Sequence, residues 1–342
     1  MQLLPRIITL TDHLRLADET SPHPEQYKEW HHFCILERDV EVILNLSVMY
    51  DNRPAASPNS RLARLILLVH DGGWDGDVVE IPWREVALNP GRIDMRLGQN
   101  FLRFADGIYR VSIALETRPI TLEMTLRPTA YPLLRNRAPI GGGAIDWLVV
   151  PRLEASGVLA CGRRVHRIDR ALAYHDHNWG SWLWGDDFAW EWGFALPERQ
   201  GAPLSLVFDR MTNRARSQVQ ELKLSLWRDD HLVRIFAHQE ITALPQGFLT
   251  LSRVPKFPRI MSLIAPEVTT DVPRSLEIDA VSGADHIHFC FETQDLAQLI
   301  IPNETDLGET TINEAVGVIN AAGIIKGQPV DFEGKGFFEF LT

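Results

Sequence analysis

The sequence predicts a mainly β protein made of antiparallel sheets. Apolar and polar residues alternate along several segments of the 342-residue chain, a pattern typical of strands with one buried face. Turn-forming residues such as Asp229-Asp230 and the segment 71–73 separate these segments. No capped amphipathic segment of ordinary helical length is present, so helices are expected only as short pieces. Strands spaced in this way favour closed sandwiches or barrels.

The individual elements follow from the alternation. The clearest strands are expected at residues 39–48, 108–115, 120–126, 222–227 and 286–291. A short helix is expected to open at residues 21–25 and to run through Trp30, and a single helical turn is expected at residues 295–299. These helical pieces are minor, so the predicted fold class is all-β.

The charge composition excludes one broad class of partner. The chain carries 34 Lys and Arg against 45 Asp and Glu, a formal net charge of −11. Proteins that bind nucleic acid by neutralising phosphates usually carry a basic surface, so no nucleic-acid partner is expected. An anionic membrane surface is disfavoured for the same reason. No apolar run approaches the roughly 18 residues that cross a bilayer, so any membrane contact is expected to be peripheral.

The cysteines and the N-terminal segment indicate a compartment. Cys34, Cys161 and Cys290 are too few and too widely spaced for a disulfide framework, and they are expected to be buried thiols in a reducing environment. Charged side chains interrupt residues 1–16, so no signal-peptide core is expected. We therefore predict a cytoplasmic protein.

Tryptophan is unusually concentrated in the middle of the chain. Five of the ten tryptophans fall between residues 179 and 192. New strands are expected from Phe188 onward, and the length suits about two domains of ~150 residues each. We expect an N-terminal domain of residues 1–183, which contains the segment described next, and a C-terminal domain of residues 184–342.

The segment 174–180, Tyr-His-Asp-His-Asn-Trp-Gly, carries the strongest chemical signal. If it is a strand, Tyr174, Asp176 and Asn178 share one face, and the two histidines share the other face with the tryptophan. Burial raises the pKa of a carboxyl, which keeps it protonated and able to act as a general acid. The alternative for Asp176 is a structural carboxylate bonded to the backbone or to a histidine.

The next alternating segment, residues 190–196, places Trp190 and Trp192 on one face. Two indoles on one face can form the wall of a pocket for a long apolar ligand and can stabilise a developing cation. Plain packing within a core or between domains is the alternative.

A second histidine motif contains side chains that can bind a transition metal. His286, His288 and Cys290 share one face of a predicted strand, but the segment does not supply a closed set of ligands. An ordinary strand with polar residues outward is favoured. No metal and no cofactor are expected.

The segment 174–180, followed by a Trp-rich strand, resembles the carotenoid 1,2-hydratase (hydroxyneurosporene synthase) family and its AttH-like relatives. Residues 29–33, Glu-Trp-His-His-Phe, resemble the Glu-Trp-Trp-Tyr-Phe opening of many members. The chain has Ile145-Asp146-Trp147 where a His-x-Trp would stand. The resemblance implies two lipocalin-like antiparallel β-barrel or sandwich domains packed side by side, with an apolar pocket at their interface. It also implies that Asp176 protonates an isoprenoid double bond and that Tyr174 accompanies it. Similar proteins include kievitone hydratase and fungal enzymes that direct Diels–Alder cyclisations of polyenes.

Together these observations predict an enzyme that acts on a hydrophobic polyene, terpenoid or polyketide by acid-assisted hydration, cyclisation or isomerisation. The alternatives are a pericyclase that relies on shape and a lipid- or isoprenoid-binding protein without catalysis. The catalytic residues are expected to be Asp176, Tyr174 and Asn178. The substrate-binding residues are expected to be Trp147, Trp184, Trp190, Trp192, Trp30 and His177.

Overall fold

The prediction of an all-β fold is confirmed. The computed structural model describes residues 3–16, 23–53, 56–57, 60–197, 204–264 and 271–341. Over these residues, 22 strands form a twelve-stranded and a ten-stranded sheet. All five segments that alternate most clearly in the sequence lie in strands or overlap them by most of their length.

The first sheet contains the strands that precede residue 182. They are β1 (Tyr27–Leu36), β2 (Glu41–Tyr50), β3 (Arg61–His70), β4 (Trp74–Pro82), β5 (Val86–Leu88), β6 (Asp94–Leu97), β7 (Asn100–Ala105), β8 (Ile108–Ala114), β9 (Ile120–Pro128), β10 (Leu133–Ile140), β11 (Gly143–Cys161) and β12 (Arg164–Ser181).

The second sheet contains the remaining strands. They are β13 (Ala189–Pro197), β14 (Leu204–Thr212), β15 (Val219–Arg228), β16 (His231–Ala237), β17 (Ile241–Phe248), β18 (Lys256–Phe257), β19 (Pro273–Ser282), β20 (Asp285–Pro302), β21 (Glu309–Ile325) and β22 (Gln328–Leu341). Two helices, α1 (Leu3–Thr11) and α2 (Met261–Ile264), and three short 3₁₀ turns complete the described elements.

The first sheet curls into a nearly closed antiparallel barrel. Its strands follow the order β4-β3-β2-β1-β12-β11-β9-β8-β7-β6-β5, and β10 pairs with β11. Alternate side chains such as Val42, Leu44 and Leu122 fill the interior and are almost fully buried. Burying each such side chain stabilises the fold by about 1.5–3 kcal/mol. The long strand β12 lies near the middle of this sheet, between β1 and β11.

The second sheet has its own apolar core. Its strands follow the order β16-β15-β14-β13-β22-β21-β20-β19-β17, and β18 adds to β20 in parallel. Seven phenylalanines belong to this core, and Phe338 lies over Gly193, where an added Cβ would be 2.3 Å from the ring. The glycine at this position is therefore required by the close approach of the ring.

The structure divides into two compact units. One unit contains residues Met1–Asp186 and Asn303–Leu307, and the other contains Asp187–Pro302 and Gly308–Thr342. The segment Asn303–Leu307, which connects β20 to β21, therefore belongs with the first unit. The predicted domain boundary at residues 183 and 184 stays a prediction.

Two local expectations about helices differ from the structure. Residues 295–299 lie in β20 and not in a helical turn; the register of β20 against β21 shifts between Thr293 and Asp295, and such a bulge interrupts the alternation that marks a strand. The helix expected through Trp30 is replaced by a 3₁₀ turn at Pro24–Gln26 and by strand β1, while residues 21 and 22 lie outside the described residues.

Helix α1 was not predicted, because its sequence has neither an acidic residue in its first turn nor a basic residue in its last turn. Its buried residue, Ile8, belongs to the core of the barrel. Within the described ranges no helix is both long and apolar enough to span a membrane.

Candidate active site

Strand β12 carries the predicted catalytic residues on one face. The strand pairs with β1 and β11, and the register sets Asp176 opposite His32 on one side and Val149 on the other. In the next row of the same face, Asn178 lies between Trp30 and Trp147. Because side chains in one row of a sheet point to the same side, the polar residues of β12 are surrounded by aromatic and apolar neighbours.

The end of this strand depends on a glycine. Gly180 has a φ of +154°, and a Cβ there would lie 2.2 Å from the backbone oxygen of Ala144. The residue allows β11 to approach β12 closely beside the polar segment. The close approach of the two backbones therefore requires a glycine at the end of the motif.

Asp176 is the centre of a hydrogen-bonded group. Its side chain is 2% exposed. The hydroxyl of Tyr174 donates to Oδ2 over 3.0 Å, and the Nδ2 amide of Asn178 donates to Oδ1 over 2.6 Å. The structure therefore brings together the three residues predicted to be catalytic.

Burial sets the protonation of this carboxyl. It raises the pKa of Asp176 to about 7, against the opposing effects of nearby His175 and of hydrogen bonds from Tyr174, Trp147 and Asn178. At neutral pH a substantial fraction of the carboxyl is therefore neutral. Oδ1 accepts from the amide of Asn178, and Oδ2 lies beside the hydroxyl of Tyr174, a group that can both donate and accept a hydrogen bond.

Aromatic side chains surround this group in the first unit. Trp147 is buried, and the guanidinium of Arg135 lies 5.3 Å from the centre of its ring. Trp30 packs edge-to-face on Trp182 with ring centres 5.5 Å apart. Trp182 in turn contacts Trp184, whose backbone N–H donates to Glu304 over 2.8 Å. Trp30, Trp147 and Trp184, three of the predicted substrate contacts, therefore lie in the same unit as Asp176.

The cation that holds this region in place is Lys28. It is fully buried on β1, and its Nζ lies 2.8 Å from Oε2 of Glu304 and donates to the carbonyl of Trp182 over 2.6 Å. Burial lowers the pKa of Lys28, and the neighbouring Glu304 counteracts that effect. The ion pair connects the segment Asn303–Leu307 to the strand that carries Trp30.

Two of the predicted substrate-binding tryptophans belong to the second unit. Trp190 is buried on β13 and donates its indole N–H to Oε2 of Glu339 over 3.0 Å. Trp192 lies on the same face, with its ring centre 5.9 Å from that of Phe194. Their role as substrate contacts stays a prediction.

His177, the remaining predicted substrate contact, lies on the opposite face of β12 from Asp176. Its Nε2 is 2.8 Å from Oε1 of Glu29, and its Nδ1 is 3.1 Å from Oδ1 of Asp12. Although burial acts to lower it, these two carboxylates raise the pKa of His177. The side chain is enclosed in the barrel, and its role as a substrate contact stays a prediction.

A second polar cluster, which the sequence did not reveal, fills the barrel beside His177. Asp12 follows helix α1 and is fully buried; the hydroxyl of Tyr109 donates to its Oδ2 over 2.5 Å, and Nε2 of His175 lies 3.1 Å from the same oxygen. Atoms of Asp12, His31 and His175 that can ligate a metal lie within 4.8 Å of one another. We call Asp12, His31 and His175 the interior triad. Asp12 had no sequence signal, because helix α1 was itself not predicted.

His32 lies on the same face of the sheet as Asp176, and sequence reasoning missed it. It lies directly across from Asp176, and burial together with His175 lowers its pKa to about 3, so it is neutral. Its Nε2 is 3.2 Å from Sγ of Cys34. The sequence did mark this position, because histidines 31 and 32 stand where the similar Glu-Trp-Trp-Tyr-Phe segment has two aromatic residues.

No family model matches the sequence, and no curated protein matches it. The fold, however, is shared with solved structures. A protein of Nitrosomonas europaea assigned as AttH is 16% identical, with a TM-score of 0.65 and 96% of both chains covered. Kievitone hydratase from Nectria haematococca is 10% identical, with a TM-score of 0.59 over 97% of this chain and 94% of that chain. CghA with Sch210972 is 13% identical, with a TM-score of 0.61 over 96% of this chain and 93% of that chain. The fold that the motif resemblance implies is therefore confirmed, and the neighbours include the relatives to which that resemblance pointed.

Proposed function

We propose that the protein is an enzyme that protonates a hydrophobic polyene, terpenoid or polyketide substrate, with Asp176 as the general acid. The observation that carries the proposal is the geometry of Asp176, a buried carboxyl held between the hydroxyl of Tyr174 and the amide of Asn178. Burial disfavours the charged form of the carboxyl, so the proton that a general acid must donate is present near neutral pH.

The proposed step transfers one proton. The O–H bond at Oδ2 of Asp176 breaks, and the π electrons of an alkene form a new C–H bond with that proton. A carbocation remains on the neighbouring carbon. The indoles of Trp147 and Trp30, which lie on either side of Asn178 in the row of the sheet next to Asp176, stabilise it. The carboxylate left behind accepts hydrogen bonds from Tyr174 and Asn178, which strengthen as its charge develops.

The carbocation can then be consumed in three ways. Water adds to it and returns a proton to Asp176, which gives hydration. A second alkene of the substrate attacks it, and the new carbocation loses a proton to the carboxylate of Asp176, which gives cyclisation. Loss of a proton to the carboxylate from the carbon beside the first cation gives isomerisation. Access of water to the cation decides among these outcomes.

The structural neighbours support this class without fixing the reaction. One is named as a hydratase and another holds an organic ligand, Sch210972. A pericyclase would use the same fold without a proton transfer and would rely on shape and orientation. A carrier would bind the ligand and leave it unchanged. The three cysteines, all within the described residues, form no disulfide, which supports a further proposal of a cytoplasmic location.

The test uses deuterium as the reporter of protonation. The protein is incubated in D2O with a panel of acyclic isoprenoids and linear polyenes, and the products are examined by mass spectrometry. We expect one new C–D bond per turnover, accompanied by an added O–D group if the reaction is hydration. A product without deuterium indicates a pericyclase, and recovery of unchanged ligand from a protein that binds it indicates a carrier.

The variant Asp176→Asn separates these cases further. It keeps the shape of the side chain but removes the acidic proton, so turnover should fall by about 10²–10⁴-fold. The matched control is Asp146→Asn on the adjacent strand β11, where the carboxylate accepts a hydrogen bond from the backbone of Arg137. Turnover that survives Asp176→Asn unchanged would show that this carboxyl is not the acid.

A further inference from the structure

The interior triad has the composition of a transition-metal site. One carboxylate and two imidazoles are donors that Zn²⁺, Fe²⁺ and Co²⁺ accept. All three side chains are fully buried inside the barrel, on the opposite face of β12 from Asp176. The cluster is therefore separate from the proposed acid, and the inference does not depend on the proposed function.

His31 gives an independent indication that a ligand belongs there. It is fully buried, and neither of its ring nitrogens makes a hydrogen bond within the part of the chain that the structure describes. Its Nδ1 is 3.7 Å from Oδ1 of Asp12, which is too long for a hydrogen bond. Leaving a buried polar nitrogen without a partner destabilises the fold, and a bound cation at Nδ1 would remove that penalty.

His175 is oriented as a metal-bound histidine is. Its Nδ1 lies 2.8 Å from the backbone carbonyl of His32, so Nδ1 carries the hydrogen and donates it. Its Nε2 lies 3.1 Å from Oδ2 of Asp12, and this contact needs a positive centre between the two atoms, which is either a proton on Nε2 or a metal ion bound by both. Metal-ligating histidines usually donate their other N–H to a carbonyl or carboxylate in this way.

The spacing of the donor atoms fits a shared cation. Metal–nitrogen and metal–oxygen bonds of about 2.0–2.2 Å at tetrahedral angles place neighbouring ligand atoms about 3.3–3.6 Å apart. The nitrogens of His31 and His175 lie 3.7 and 3.1 Å from the oxygens of Asp12. Small rotations of the side chains would bring these distances to the ideal value.

Carboxylates in the interior of the barrel supply negative charge that would balance a divalent cation. Asp12 is one carboxylate, and Glu29, bonded to His177, is a second in the same interior. The hydroxyl of Tyr109 donates to Oδ2 of Asp12 and orients that carboxylate, as a second-shell partner of a metal ligand does. Two groups compete with a cation for these carboxylates. Arg15, whose guanidinium lies over Trp179, donates its backbone N–H to Glu29, and Nδ1 of His177 lies 3.1 Å from Oδ1 of Asp12.

We propose that Asp12, His31 and His175 bind one divalent transition-metal ion inside the first barrel, through Nδ1 of His31, Nε2 of His175 and the carboxylate of Asp12. The ion connects the end of helix α1 to strands β1 and β12. Because the site is fully buried, the ion enters during folding. Its role is to hold the barrel together.

The test uses Co²⁺ as the probe and the full-length chain with its affinity tag removed. The protein is unfolded in guanidinium chloride with a chelator, freed of both, and refolded with or without Co²⁺. We expect one Co²⁺ per chain after dialysis, visible d–d absorption, nitrogen ligands in the X-ray absorption spectrum, and a midpoint of thermal unfolding that is higher with the metal than without it.

Two variants and one control identify the ligands. His31→Phe keeps a ring to stack on His177, whose centre is 4.0 Å away, but removes the ligand. We expect its Co²⁺ affinity to fall by at least about 100-fold, since loss of a mere partner of a ligand already costs 10–100-fold. His286→Ala, on an exposed site of the second unit, should bind Co²⁺ as the wild type does.

The outcomes that overturn the proposal are specific. Wild-type protein that refolds without Co²⁺ and retains none after dialysis would show that the triad is a hydrogen-bonded cluster only. Equal retention of Co²⁺ by His31→Phe and wild type would place the metal elsewhere. If His31→Phe does not fold, Co²⁺ retention by Asp12→Asn is compared with that by the wild type, and equal retention would again place the metal elsewhere.

Discussion

The buried ion pair of Lys28 and Glu304 makes a quantitative prediction about stability. The two side chains are 0% and 4% exposed, and Lys28 also donates to the carbonyls of Trp182 and Gln26. Replacing the lysine by methionine fills the same space but leaves the carboxylate of Glu304 buried without its cation. Breaking a buried pair in this way costs about 3–5 kcal/mol of unfolding free energy.

Removing both charges should cost much less. In Lys28→Met/Glu304→Gln, the glutamine oxygen can still accept the backbone N–H of Trp184, and no buried charge remains. We expect the double variant to lose about 1–2 kcal/mol, since its remaining loss is that of ordinary hydrogen bonds. The double variant should therefore be about 2–3 kcal/mol more stable than Lys28→Met alone.

Urea and thermal unfolding followed by circular dichroism measure these values. With about 2–4 °C per kcal/mol for a unit of this size, Lys28→Met should lower the midpoint of thermal unfolding by roughly 6–20 °C. The control is Arg170→Met, which breaks the exposed pair with Glu154 and should leave the midpoint nearly unchanged. A double variant no more stable than Lys28→Met would refute the reasoning, because it would show that the uncompensated charge is not the source of the loss.

Two further predictions concern the acid and the second core. Tyr174→Phe removes one donor to the developing carboxylate, so turnover of a polyene found in the deuterium screen should fall about 10–100-fold, less than in Asp176→Asn. Steady-state kinetics measure both, and an unchanged kcat would contradict the role of Tyr174. Gly193→Ala places a methyl group against the ring of Phe338 and should destabilise the second unit by about 1–3 kcal/mol. Thermal unfolding of Gly193→Ala with and without Phe338→Leu checks this, since the smaller side chain should restore part of the loss.

Most of the fold could be predicted because alternation with period 2 follows directly from half-buried strands. Residues 108–115 and 120–126 show this, and they became β8 and β9 nearly to the residue. The failures have local physical causes. At Asp295 a bulge breaks the alternation, and in helix α1 the terminal charges that mark helix ends are missing.

The candidate site was partly visible in the sequence. Tyr174, Asp176 and Asn178 could be placed together because neighbours two apart on a strand share a face. His32 and Asp12 could not be located in this way. The pairing of β1 with β12 and the position of helix α1 depend on contacts between residues that are far apart in the sequence. The tryptophans after residue 182 could be counted but not located, since packing partners decide where an indole lies.

The alternation of β12 has a consequence for how this segment tolerates change. Asp176 and its donors face one way, and His175 and His177 face into the barrel. The face on which each side chain lies is set by its position in the strand, because successive residues point to opposite sides. Inserting or deleting one residue between Tyr174 and Ala171 would turn the whole segment over. The carboxyl would then enter the barrel and the imidazoles would leave it. A point change alters one face of the strand, whereas a single-residue change in length would exchange the two chemistries at once, so length in this stretch should be strongly constrained.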